Sequence, residues 1–228
     1  MNLLVAFLLP TLALSTSVTK REDTWGGSVS LGPSKSTIVK AVTTIIPGPA
    51  PATQNGMLFL WPGMSNGTGE LVQSTLESWN SNDWCGAETG EWCVRASVFG
   101  SFGQLDGAAS PVAANDQVRI EYTLQDDEDT WVQNVTNAQT GAVLSTYSRK
   151  SGPYMRGYGT GTECDESCTG TSAEQKYLNT EITLASSDTA FGDTISSAGG
   201  ATYSGFSSND DATVWTIKSI TIPAMLSS

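Results

Sequence analysis

Histidine is absent from the 228-residue chain. Its absence rules out Ser-His-Asp and Cys-His nucleophilic catalysis, together with histidine-ligated zinc, copper or iron. Any chemistry must therefore run on carboxylates, amides, phenols, or Lys and Arg. Positive charge is scarce as well. Eleven Lys and Arg stand against 23 Asp and Glu, a net charge of −12, and this balance repels nucleic acid and anionic membrane surfaces. Neither a glycine-rich dinucleotide fingerprint nor a phosphate loop is present, and no cofactor or metal is expected. After the first residues, no segment approaches the ~18 uninterrupted apolar residues of a membrane helix. The C-terminal residues carry no lipid-anchor pattern, and no internal repeat is visible.

What is present begins with the apolar run Leu3 to Leu9, followed by the small, uncharged stretch Ala13 to Thr19. This has the length and order of a signal peptide over residues 1–17, although no Lys or Arg precedes the run. Residues 18–24 read as a short processed or disordered N-terminus, with Lys20-Arg21 as a dibasic site, and residues 25–228 as one domain. Secretion to the extracellular space is the expectation. Four cysteines in an exported chain point to two disulfides. Sequence permits three pairings, and the short spacings Cys85 to Cys93 and Cys164 to Cys168 favour local pairing within each couple. Zinc is the competing use of these thiols, but the spacing does not suit a zinc ribbon and there is no histidine to complete a mixed site. Asn66-Gly67-Thr68 and Asn134-Val135-Thr136 are glycosylation sequons in turn-rich surroundings.

The chain alternates short apolar runs with turn residues, and helix signals are few. Strands are expected over Gly27 to Leu31, Ser36 to Ile46, Met57 to Trp61, Val72 to Trp79, Trp92 to Phe99, Gln117 to Leu124, Thr130 to Asn137, Leu144 to Ser148, Leu178 to Leu184, and Val214 to Ile222. So many strands in one open sheet would leave an apolar face uncovered. The expected fold is therefore all-β, a two-sheet antiparallel β-sandwich of jelly-roll or concanavalin A-like type. Val118, Ile120, Tyr122 and Leu124 alternate with polar residues, which marks a strand with one wet face. Asp126 to Asp129 reads as a solvated hairpin turn in preference to a calcium loop, since its carboxylates lack the spacing of a known calcium loop. The prolines at 47, 49 and 51 make an extended connection between strands. Of seven tryptophans, Trp61 and Trp215 lie in alternating apolar runs and read as core. Trp79, Trp84 and Trp92 flank the first cysteine pair, where they could line a pocket mouth.

The order Trp25-Gly26-Gly27, Pro47, Phe59-Leu60-Trp61-Pro62-Gly63, Glu70-Leu71-Val72-Gln73, Val112 to Val118 with Asn115-Asp116, and Asn134 to Gly141 resembles the glutamic peptidases, or eqolisins. The matches are short and spaced over Trp25 to about Phe191. The resemblance implies a secreted β-sandwich acid protease without histidine, in which a glutamate activates water and a glutamine stabilises the oxyanion. Carried over by motif, the glutamine is Gln73. The glutamate is Glu181 in Asn179-Thr180-Glu181, with Glu174 in Ala173-Glu174 as its rival. Substrate contacts are assigned to Trp61, Trp79, Trp92, Tyr154 and Arg156. Where the family has a tyrosine-rich strand, this chain has Glu91 to Phe99. That departure keeps two other functions open on the same scaffold: a non-hydrolytic small-molecule enzyme of cyclase type, and a carbohydrate-binding or wall-associated module. The partner is accordingly a peptide, a glycan or a small apolar molecule.

Overall fold

The computed structural model describes residues 23–225, apart from 68, 167 and 170. The expected signal peptide at 1–17, and residues 18–22 of the short N-terminus, lie outside the described residues. Sixteen strands follow one another in the described chain. The first eight are β1 (Thr24–Trp25), β2 (Ser28–Leu31), β3 (Ile38–Ile46), β4 (Met57–Ser65), β5 (Leu71–Ser78), β6 (Trp92–Gly100), β7 (Gly103–Asp106) and β8 (Ser110–Val112). The rest are β9 (Val118–Leu124), β10 (Thr130–Asn137), β11 (Val143–Lys150), β12 (Gly157–Asp165), β13 (Gln175–Leu184), β14 (Ser196–Ala198), β15 (Thr202–Ser208) and β16 (Val214–Ile222). Two short 3-10 turns, Asp83–Cys85 and Phe191–Thr194, are the only helical segments among the described residues.

The strands form two antiparallel sheets. A nine-stranded sheet runs β14-β2-β12-β4-β5-β6-β7, with β1 added on β12 and β8 on β6; a seven-stranded sheet runs β11-β10-β9-β3-β13-β16-β15. Side chains alternate across each strand, so each sheet contributes one apolar face to a shared core. Leu58, Leu60, Met64, Val72, Leu76, Val94 and Val98 come from the larger sheet. They meet Ile45, Val118, Ile120, Trp131, Tyr177, Ile182 and Ile220 from the smaller. The alternation expected for Val118, Ile120 and Tyr122 is present, with all three buried. Trp215 is core too, stacked on Phe206 at 5.4 Å and meeting Phe191 edge-on at 5.9 Å.

Polar groups inside the sandwich are paired across it. Tyr122 donates its hydroxyl to the Pro62 carbonyl at 2.7 Å. Gln133 of β10 spans to β6 of the facing sheet: its amide nitrogen donates to the Ser97 carbonyl at 2.7 Å and its oxygen accepts from the Ser97 N–H at 3.3 Å. Such bonds fix the offset of one sheet on the other, because an unpaired amide at this depth costs about 1–3 kcal/mol. The turn after β9 is the acidic segment, where Asp127 accepts from the backbone and hydroxyl of Thr130. Both disulfides pair locally, Cys85 with Cys93 and Cys164 with Cys168. No described helix is long and apolar enough to cross a membrane.

Candidate active-site cleft

On β12 the residues Tyr158, Thr160, Thr162 and Cys164 point into the core. Their neighbours Gly157, Gly159, Gly161, Glu163 and Asp165 must therefore occupy the outer face of the nine-stranded sheet. The same parity puts Phe59, Trp61 and Gly63 of β4 and Gln73, Thr75 and Glu77 of β5 on that face. A cleft of about 390 Å³ opens there, with Glu163, Asp165 and Asp23 at one end and Gln73, Thr75 and Gln104 at the other. Trp25, Phe59 and Trp61 line it between them.

Trp61 organises the centre. Its indole lies directly over Gly161, where a Cβ would come within 2.5 Å of the ring, so only glycine allows this approach. The indole N–H donates to Glu163 Oε2 at 3.1 Å, and Trp25 meets the ring edge-on at 6.4 Å. Further along β12, Gly157 and Gly159 join Gly63 in the floor of an adjoining groove of about 440 Å³, which shares Trp61 and Leu71 with the cleft.

Two carboxyls at the acidic end bind their protons more tightly than usual. Burial, then the nearby Asp165 carboxylate, pushes Glu163 up to about 7, against the opposing pull of the Trp61 N–H. Asp165 is raised by burial and by Asp23, while its hydrogen bond with Glu163 acts in the other direction. Glu163 is therefore the member that keeps the proton. This has a consequence for stability. Glu163 binds its proton more tightly folded than unfolded, so its stabilising contribution is complete below about 4.5 and is lost as pH rises to about 7. Asp165 acts in the same direction. The melting temperature should fall over that interval, and Glu163→Gln should flatten the fall; an unchanged slope in the variant would show that the group is ordinarily solvated.

Further along the same face of β5 from Gln73, beyond Thr75, Glu77 is wholly buried yet fully paired. Arg95 grips it with two N–H groups at 2.8 Å each, Thr75 donates its hydroxyl at 2.6 Å, and Gln104 and the Trp79 indole donate at 3.1 and 2.9 Å. Arg95 also reaches Asp106 at 2.8 Å, and Trp84 covers its guanidinium at 5.0 Å. Burial alone would depress Arg95, but hydrogen bonds and charge from Glu77 raise it. The network fixes Thr75 and Gln104, both of which line the cleft.

Of the residues singled out from sequence, Gln73 and Trp61 line this cleft. Trp61 is thus an outer-face residue, not core. Glu181 does not join Gln73: it is exposed on β13 of the other sheet, facing away from the core, as its buried neighbours Thr180 and Ile182 require. Glu174 is exposed and pairs with Lys176 at 3.4 Å. Trp92 is fully buried and donates its indole N–H to the Gly48 carbonyl at 2.9 Å, so it belongs to the core and cannot touch a substrate. Trp79 lines a different pocket, described below, and Tyr154 and Arg156 are exposed away from the cleft, with the Arg156 guanidinium on the Ser34 carbonyl. Asn134 is exposed on β10, and Asn66 follows β4 with its Oδ1 accepting from the Gly69 N–H at 2.7 Å. Sequence reasoning missed Glu163 and Asp165. Their signal was available: two carboxylates at i and i+2 around a buried cysteine must share the face opposite the sulfur.

Glu163 and Gln73 are themselves apart. Glu163 pairs with Phe59 on β4, whereas Gln73 pairs with Gly63, and Gly63 in turn pairs with Gly159. The position across β4 from Gln73 is thus a glycine. Two strands and four residues separate Gln73 from Glu163, roughly 16 Å between Cα atoms at ordinary strand spacing.

No protein-family model and no curated protein sequence matches the chain. Solved structures do. A Scytalido-glutamic peptidase with a transition state analog inhibitor superposes with a TM-score of 0.58 at 13% identity, over 89% of this chain and 98% of that one. The same peptidase with a peptide-based transition state analog gives 0.55 at 14%, over 86% and 98%. SCP-B, a member of the eqolisin family of peptidases in complex with the tripeptide Ala-Ile-His, gives 0.53 at 13%, over 89% and 98%. At such identities the likeness is one of fold. The chain has the two-sheet β-sandwich fold of these peptidases, the fold that the spaced sequence matches implied.

Proposed function

We propose that the chain is a secreted hydrolase of peptide-like substrates whose water-activating group is the carboxyl pair Glu163 and Asp165, not a dyad of Gln73 with Glu181. The observation that carries this is the placement of two perturbed carboxyls on one face of one strand, at the end of an aromatic-lined cleft. Adjacent carboxyls in poorly solvated surroundings retain one proton between them, because both cannot ionise side by side. The two formed disulfides fit an oxidising, extracellular setting.

In the singly protonated pair, Asp165 takes a proton from water as the water oxygen attacks the scissile carbonyl carbon. Glu163 gives its proton to the carbonyl oxygen. Collapse of the tetrahedral intermediate breaks the C–N bond, the amine leaves with the proton held by Asp165, and Glu163 regains its proton from the product hydroxyl. Gln73 serves substrate placement at the far end, where the glycine floor lets an extended backbone lie close to the sheet.

Cleavage of a denatured protein substrate should follow a bell-shaped pH profile. It should decline above about pH 7 as the shared proton is lost, and decline in acid as the pair takes a second proton. A rate that climbs steadily through pH 8 would overturn the assignment.

A second reading is a cleft that binds without hydrolysing. It rests on Gly159 standing across β4 from Gln73, so that no carboxylate on β12 is in register with that amide. Saturable uptake of a neutral glycan or a small apolar compound, with no cleavage at any pH, would favour it.

A further inference from the structure

On the far side of Trp79 from Glu77 lies a second, smaller concavity of about 130 Å³. Gln54 lines it, is 5% exposed, and has no protein partner for either its amide nitrogen or its oxygen. A buried amide with both functions uncommitted costs free energy unless something supplies a donor and an acceptor together. Most of the remaining lining is polar, including Ser81, Thr89 and the carboxylates Asp83, Glu88 and Glu91, with Pro51, Ala52 and Ala87 among the apolar residues. Among the described residues, no three acidic groups converge closely enough to hold a metal ion. The carboxylates are spread along the wall, and no cation lines it.

The walls are rigid before any ligand arrives. The Cys85–Cys93 disulfide closes the loop, and Asn82 ties its two arms by accepting from the Trp79 N–H at 2.9 Å and donating to the Glu91 carbonyl at 2.8 Å. The Ala50 N–H to Gly90 carbonyl bond, 3.0 Å, fastens the loop to the segment that carries Gln54. Trp79 is the aromatic residue of the lining, 37% exposed, and its ring is braced from outside the pocket by Trp84, with centroids 5.6 Å apart. The indole N–H of Trp79 is spent on Glu77, so what this ring offers outward is hydrocarbon.

We propose that this pocket binds one unit of a neutral saccharide. A sugar ring presents paired hydroxyls that satisfy the donor and the acceptor of Gln54 at once, further hydroxyls for the carboxylates, and an apolar C–H face for the Trp79 ring. The acidic wall excludes uronic or sulfated sugars. The proposal is independent of the hydrolase reading, since Gln54 takes no part in the cleft.

The test is titration of the purified full chain with glucose, mannose and N-acetylglucosamine oligomers and with a protein-linked high-mannose glycopeptide, followed by tryptophan fluorescence. At least one neutral sugar should saturate. The free oligomers against the glycopeptide separate a polysaccharide source from a glycoprotein source. Gln54→Leu should weaken binding tenfold or more, while its melting temperature stays level or rises because two orphan polar atoms are gone, and peptide cleavage is unchanged. Gln73→Ala should leave sugar binding intact. Saturation by no neutral sugar, equal affinity in Gln54→Leu, or equal binding of uronic-acid oligomers would each overturn the proposal.

Discussion

Glu163→Gln is expected to lower kcat for peptide cleavage by roughly 10²–10⁴-fold, the range over which a positioned proton-transfer group acts. KM should change little, because Gln keeps the size of the side chain and can still accept from the Trp61 N–H that now reaches Glu163 Oε2 at 3.1 Å. Asp165→Asn should fall in the same range, and the double variant should be no slower than the worse single one, as befits two groups that work as a unit. Glu181→Gln should have no effect, since that carboxylate is exposed on the opposite sheet. Gln73→Ala separates the assignment from the one implied by the glutamic-peptidase resemblance. An oxyanion donor would cost about 10²–10³ in kcat, whereas a group that only places substrate raises KM and leaves kcat near its starting value. Steady-state kinetics on one peptide substrate measures all of these. A collapse of kcat in Gln73→Ala with full activity in Glu163→Gln would return the chemistry to the glutamine and remove the carboxyl pair from it.

Much of the sandwich was legible because its strands keep a strict period of two. Thr130–Asn137 and Val214–Ile222 have the expected bounds, and Val118, Ile120 and Tyr122 face the core as alternation requires. The strand that carries the candidate chemistry was not legible. Gly157–Asp165 reads Gly-Tyr-Gly-Thr-Gly-Thr-Glu-Cys-Asp, with glycine at 157, 159 and 161. Glycine weakens an isolated strand, so local propensity argues for a loop. Tertiary context overrides it: β4 pairs with all nine residues, and the missing side chains make room for the Trp61 indole and the groove floor. The same cause displaced the candidate glutamate. With β12 unseen, the motif search fell on Asn179-Thr180-Glu181, where a wet-face glutamate on an ordinary strand imitates a catalytic one. Trp92 misled for a related reason. Proximity to a cysteine pair indicates a pocket mouth, yet the strand's parity buries the ring, and only the pairing of β6 with β5 and, at Trp92 itself, with β8 fixes that parity.

Arg95→Met is expected to destabilise the fold by about 3–5 kcal/mol, the cost of leaving one member of a buried ion pair without its partner. Glu77 is the reason: its side chain is 0% exposed and Arg95 supplies two of its donors. For a chain of this size that loss is roughly 10 °C in melting temperature. Lys40→Met offers the contrast, since the Lys40–Glu121 pair, 39% and 19% exposed, is screened by water and worth about 1 kcal/mol or less. The double variant Glu77→Gln with Arg95→Met should recover much of the loss, because a neutral amide can still accept from Thr75 without carrying an unpaired charge. Activity should respond separately from stability. Thr75 and Gln104 both donate to Glu77 Oε1, so KM should rise in Glu77→Leu, which removes that acceptor, at temperatures where the fold is intact. A melting shift below about 2 °C for Arg95→Met would mean that water reaches Glu77 and replaces the guanidinium, and the buried network would then be support for neither the fold nor the cleft.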